Sequence, residues 1–337
     1  MLDPLATHPI HGAYRRQEPD AEYRAAHGLN WSRLKVLDKS PLHYKHALEN
    51  PRADTPALSL GRAFHCALLE PDRYAAEYRV WPGSRVGHVW DAVQANLDGD
   101  RAVFFADVAA RRGKAWAEAK DAAPDGAVIL VGAEQAEYLD IVKDLPPGVV
   151  WLTQGEADTV AAMVEGARNH PRVLSLLSAD GMAEVSLYWT EGEGKDARRM
   201  KARADLVITY ADRVILVDLK SARDVDPRSF GAAAARFGYH GQLAHYAHGL
   251  EQVYKLPVEC CIIAVESSAP HDAAVYHLDD LAMEAGCQMR DRLLSELAEC
   301  EAAQEWPGQV PHAATLQLPV WALPDIDGAA FTYPEED

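Results

Sequence analysis

Positive charge is in short supply: 33 Lys and Arg against 51 Asp and Glu leave a net charge of −18 over 337 residues. A protein that coats nucleic acid broadly needs a basic balance, so that class is excluded, although a local basic channel is not. Cysteine is scarce too. The five, Cys66, Cys260, Cys261, Cys287 and Cys300, include no CxxC pair, which argues against a zinc site, an iron–sulfur cluster and a disulfide framework. Cys66, Cys260 and Cys261 lie in apolar runs and read as small buried hydrophobes. No stretch reaches the roughly 18 to 20 apolar residues of a membrane span. The first residues also lack the apolar block of a secretory signal, so a cytoplasmic protein with no membrane partner is expected.

The chain is long enough for one large core or two modest ones. Residues 1–28 are polar, with several His, Pro and Arg, and are expected to form an irregular arm. From Asn30 the pattern turns helical through Trp31, Leu34 and Leu37, with Ser32 as a candidate cap. Ser40-Pro41 starts another helix, 51–57 is a loop, and 58–69 (LSLGRAFHCALL) reads as a buried helix. Segment 80–130 is the least legible. Residues 133–145 and 156–177 look helical, with a stop near His170-Pro171. The period then changes: 183–190, 206–210 and 213–218 read as strands, 238–254 as a helix, 258–266 as a buried strand. An edge strand at 274–278, a closing helix at 279–304 and a Pro-rich irregular tail at 306–337 complete the chain. Helices, then a strand meander, then helix and strand predict one α/β domain over 29–305 with a mixed central sheet flanked by helices.

The stretch with most chemistry runs from Arg203 to Lys220. If LVITY and RVILV pair as a hairpin with Ala211-Asp212 at its tip, Leu206 faces Val217, Ile208 faces Ile215 and Asp205 faces Asp218. Directly opposed residues have Cβ atoms roughly 4.5 to 5.5 Å apart, and Lys220, two residues on, points to the face of Asp218. An odd loop length would shift this register by one. Two carboxylates so close need a cation or a shared proton between them. Oxygen ligands suit Mg²⁺, and an adjacent ammonium can orient an attacking water and stabilise charge on a phosphoryl transition state. A surface hairpin with acidic ends is the plainer alternative; the wholly apolar runs inside both acids weigh against it. Glu184, on the preceding strand and out of phase with Val185, Leu187 and Trp189, is either a supporting carboxylate or an exposed strand residue. Gln242 and Tyr246 are one helical turn apart and share a face. His65 lies in an apolar helix, where a lone histidine is either a satisfied core residue or a ligand. Arg198, Arg199, Lys201 and Arg203 form a basic run that reads as a nucleic-acid contact or a solvated strand edge.

In order along the chain, His65, Asp205, Asp218-Leu219-Lys220 and Gln242-x-x-x-Tyr246 resemble the RecB-type branch of the PD-(D/E)xK nucleases. The wider text is similar to the phage exodeoxyribonuclease VIII (RecE-like) family: Trp31-Ser-Arg-Leu-Lys35, Gly61-Arg-Ala-Phe-His65, Leu69-Glu-Pro71, Arg112-Gly-Lys-Ala-Trp116, Ala183-Glu184 and Gly238-Tyr239-His240-Gly-Gln242. Ala204 stands where the family name has proline. The resemblance spans about residues 29–265 and implies a restriction-endonuclease-like core. It implies metal ligation by His65, Asp205, Asp218 and the Leu219 backbone carbonyl, with Mg²⁺ or alternatively Mn²⁺. Lys220 would activate or position the water, and Gln242 and Tyr246 would support the phosphate. Tyr239 and His240 join the basic run as expected DNA contacts. The family further implies a toroidal homo-oligomer that degrades one strand of linear duplex DNA 5′ to 3′, leaving 3′ overhangs for a RecT-like annealing partner. A related endonuclease and a catalytically inactive DNA-binding or scaffold protein of the same fold are the alternatives.

Overall fold

The protein is described by a computed structural model covering residues 13–50, 55–83, 85–146, 148–194, 197–319 and 322. Its main sheet has six strands, β1 (Tyr14–Gln17), β2 (Gly181–Glu191), β3 (Arg198–Thr209), β4 (Val214–Ala222), β5 (Val258–Glu266) and β6 (Ala273–His277), neighbours in space as in sequence. Every pair is antiparallel except β4 and β5. A parallel return needs a crossover. Here it is made by two helices joined at a left-handed Gly238, α4 (Pro227–Phe237) and α5 (Tyr239–Tyr254), in the numbering α1 (Asp20–Ala25), α2 (Pro56–Leu69), α3 (Gln154–Asn169) and α6 (Asp280–Ala303).

Both sheet faces are covered. On one, Leu187, Ala202, Leu216 and Ile262 pack against Leu243 and Leu250 of α5 and Leu293 and Leu297 of α6. On the other, Ile208, Ile215, Val217 and Ile263 meet Phe64 and Leu68 of α2 and Met163 and Ala167 of α3. Double coverage explains why β4 and β5 are almost continuously apolar instead of alternating. The expected mixed α/β architecture is present. Gly241 lets α5 close on Trp31, because a Cβ there would stand 2.3 Å from the indole.

Several expectations need correction. The supposedly irregular arm carries β1, paired with β2, and helix α1; residues 1–12 lie outside the described part. Asn30, not Ser32, caps the helix Trp31–Leu34, its side chain accepting from the Arg33 N–H. Strand β3 begins at Arg198, so the basic run is part of the sheet. The loop 51–57 is described only from residue 55, and the tail from 306 has no helix or strand through 319, beyond which 320, 321 and 323–337 are not described. Among the described residues, no helix is long and apolar enough to cross a membrane.

The illegible segment forms a small unit of its own between α2 and α3. Two short parallel pairs, Val103–Ala106 with Val128–Val131 and Tyr78–Val80 with Val150–Leu152, accompany helices packed around Trp81, Leu130 and Tyr138. Strands of three or four residues are too short for a period to declare itself.

Candidate active site

The site forms where the sheet loses its alternation. In β3, Met200, Ala202 and Ala204 belong to the α5 side, and so does Val207, while Leu206 and Ile208 belong to the α2 side. The phase therefore slips by one around Asp205. Strand β2 slips at the facing position: Val185, Leu187 and Trp189 lie on the α5 side, and Met182 packs there too. Ala183 opposes Leu206 and Val185 opposes Ala204, so the register is unbroken across a distortion centred on Glu184 and Asp205. Glu184 has φ +52°, a left-handed conformation costly for a residue with a Cβ and characteristic of functional positions.

Between β3 and β4 the ladder follows the expected register, Leu206 opposite Val217 and Ile208 opposite Ile215. Beyond Leu206 the Asp205 carboxylate fills the ladder position, its Oδ2 accepting the Leu219 N–H at 2.7 Å. From α2, His65 Nδ1 approaches the same oxygen to 3.6 Å. The ligand atoms of His65, Glu184 and Asp205 all lie within 4.8 Å of one another. Asp218 is 1% exposed and engaged elsewhere. Its Oδ1 accepts from Gln242 Nε2 at 3.0 Å, and its Oδ2 is ion-paired with Lys220. The anticipated trio of His65, Asp205 and Asp218 is thus only partly gathered. Glu184 stands in the cluster, because the strands part after Leu206 and the Asp218 side chain meets α5.

Electrostatics follow burial. Glu184 is raised to about 7 by burial and the Asp205 charge, against the Arg203 guanidinium, whose Nε lies 2.7 Å from Glu184 Oε2. Asp205 is raised to about 7 by burial and the Asp218 charge, opposed by Lys220. His65 is pushed down to about 4 by burial and by Lys220, so the imidazole is neutral and free to ligate. Two carboxylates held at such a cost beside a neutral imidazole fit a divalent cation, which would supply the missing positive charge. For Lys220, burial lowers the ammonium but Asp218 and Asp205 outweigh it, leaving the net shift upward. It is a charged donor at neutral pH, lying 4.8 Å from the Tyr239 ring centroid. Tyr246 is raised well above its ordinary value by burial and by the nearby Tyr23, Asp218 and Asp205, while a hydrogen bond with Gln242 opposes. Its phenol stays protonated.

The basic run does not form a free surface. Lys201 is 1% exposed; its ammonium donates to the carbonyls of Tyr23 and Ala26 at 2.7 Å each, tying α1 to the sheet. Burial lowers it to about 8. That excludes the expected DNA contact at Lys201. Arg198 is bidentate to Glu301. Arg203 supports Glu184 and donates to the Glu18 carbonyl at 3.1 Å, which makes it a positioning residue for the acid. Arg199 is exposed and lines a hollow with Tyr14 and His27. His240 is half-buried beside Phe230 and Tyr276 in a separate hollow. Sequence reasoning passed over Arg62, which lines a cleft of about 210 Å³ with His65, Glu184 and Asp205. The signal was its spacing, one turn before His65 on α2.

Residues 30–319 match a family described as PDDEXK-like domain of unknown function (DUF3799). The chain belongs to that family. Its PDDEXK-like core is the six-stranded sheet with α2 and α5 on its two faces. No curated protein matches the chain. Among solved structures, the crystal structure of a "Putative exonuclease" from Eubacterium rectale aligns over 90% of this chain and 96% of its own, at 11% identity and TM-score 0.46. That of SSO0001 aligns over 48% and 69%, at 15% identity and TM-score 0.25. Neither likeness bears on what this chain acts on.

Proposed function

We propose that this protein is a divalent-metal-dependent exodeoxyribonuclease that degrades one strand of linear duplex DNA. The observation that carries the reading is the joint placement of His65, Glu184 and Asp205 at metal-ligand spacing next to the Asp218–Lys220 pair, in a chain of the PDDEXK-like family. The donor set suits Mg²⁺ or Mn²⁺, with the Leu219 carbonyl as a further candidate ligand. When bound, the metal would polarise the scissile phosphate and offset its charge. The remaining work falls to the chain. Lys220, kept as an ammonium by Asp218 and Asp205, orients the attacking water by hydrogen bonding and stabilises charge gathering on phosphoryl oxygens. Gln242 holds Asp218 in place, and Tyr246, protonated against Gln242, is a donor on the same helix face. Arg203 holds the Glu184 carboxylate through an ion pair at 2.7 Å.

The finer specificity rests on the family resemblance: 5′ to 3′ polarity, 3′ overhangs for recombination, a RecT-like partner and a toroidal homo-oligomer. An acidic exterior agrees with an enclosed path, since it repels DNA everywhere but at the bore. The test compares linear duplex labelled at the 5′ or 3′ end with covalently closed circular duplex, with Mg²⁺ or EDTA. Release of label from one end of linear DNA, with circles left whole, is expected. Cut circles would replace the exonuclease with an endonuclease, and no cleavage of either would favour the inactive DNA-binding alternative.

A further inference from the structure

An aromatic path leads outward from Lys220 to the surface. Its ammonium lies over Tyr239 at 4.8 Å, Tyr239 is stacked on Phe237 at 5.8 Å and 29°, and the Arg236 guanidinium lies over Phe237 at 5.3 Å. The left-handed Gly238 cap between α4 and α5 turns the chain there. Phe237 is 47% exposed and is the one large apolar side chain left in solvent on α4 among the described residues. Helix α4 (PRSFGAAAARF) carries two arginines and no acid, in a chain of net charge −18. The nearest carboxylates in sequence, Asp224 and Asp226, stand at the far N-terminal end, where Asp226 caps α4. A protein partner would need a contiguous apolar patch of a few hundred Å². A nucleobase needs only one accessible ring and a cation beside it.

We propose that Phe237, backed by Tyr239 and flanked by Arg236, is a base-stacking step that receives the nucleobase adjoining the phosphate at Lys220. This rests on the nuclease reading for the place of the phosphate. The stack would hold the end of the strand in line with Lys220 and tolerate any base, since every base offers a π-face.

The test is a binding measurement in EDTA, independent of cleavage. Linear duplexes carry 2-aminopurine at successive positions from either end, and wild type, Phe237→Ala and Phe237→Tyr are compared, with circular dichroism as the check on folding. Wild type should quench the probe at one near-terminal position. Phe237→Ala should lose the quench and weaken binding about 5- to 150-fold, the range of one base–aromatic stack, and Phe237→Tyr should restore both. An abasic site at that position should weaken wild type by a similar factor and leave Phe237→Ala unaffected. The inference is overturned if Phe237→Ala binds as wild type, if the abasic site costs both proteins equally, or if the variant changes only the oligomeric state. Intact quenching without cleavage in Mg²⁺ would count against the nuclease reading alone.

Discussion

Metal should stabilise this protein by an amount that depends strongly on pH. Glu184 and Asp205 stand at about 7 in the fold against ordinary values of 4.5 and 3.8. Groups raised on folding hold extra protons in the native state, so their stabilising contribution is complete below about pH 4 and is lost as pH rises through 7. At 1.36 kcal/mol per pH unit, charging them costs about 3 kcal/mol for Glu184 and about 4 for Asp205. The Glu184 figure already contains the repulsion of Asp205, whereas that of Asp205 comes from burial and Asp218. His65 has the opposite sign: lowered to about 4, its contribution is present above 6.5 and is lost as pH falls. Above neutrality all three groups are therefore in ligand form, and a cation recovers the carboxylate cost. Saturating Mg²⁺ or Mn²⁺ should raise the melting temperature by several degrees at pH 8, at about 2 °C per kcal/mol for a chain of this size, and by little at pH 5. Differential scanning fluorimetry against EDTA at both pH values measures this. Equal shifts at the two pH values, or a pH 8 shift that survives in both Asp205→Asn and Glu184→Gln, would refute the reasoning.

Lys220→Ala should lower kcat by about a hundredfold or more with little change in KM, since the ammonium acts mainly in the transition state; steady-state kinetics on linear duplex will show it, and a pure KM effect would contradict it. Lys201→Met leaves the carbonyls of Tyr23 and Ala26 without their donor and should cost about 1 to 3 kcal/mol in urea unfolding. DNA affinity should be unchanged in that variant, whereas a fall in affinity with stability intact would return Lys201 to the DNA path. Gly241→Ala forces a methyl to 2.3 Å from Trp31 and should destabilise by about 1 to 3 kcal/mol, seen as a lower urea midpoint.

Much of the fold was legible because both sheet faces are buried. Apolar runs such as Val214 to Val217 and Cys260 to Val265 announce covered strands, and the hairpin register between β3 and β4 follows from matching two such runs. Legibility ended where the ladder ended. Hydrophobic matching places Asp205 opposite Asp218 but has no means of showing that Asp205 captures the Leu219 N–H and that Asp218 turns to Gln242 and Lys220. The paired slip at Glu184 and Asp205 was hidden for a related reason: both strands lose phase together, so the register stays intact while the faces exchange. Lys201 misled because a lysine in a basic run reads as exposed, whereas its long stem crosses the layer to cap backbone carbonyls. Strand β1 and helix α1 escaped notice because a four-residue strand and a six-residue helix carry almost no periodicity.

The Asp205 carboxylate serves catalysis rather than folding in the proposed nuclease. The decisive measurement is the rate at which wild type and Asp205→Asn release nucleotides from linear duplex DNA at saturating Mg²⁺, with the amide variant verified as folded. A loss of about a hundredfold or more is predicted. A folded Asp205→Asn protein that digests DNA at the wild-type rate would contradict the account.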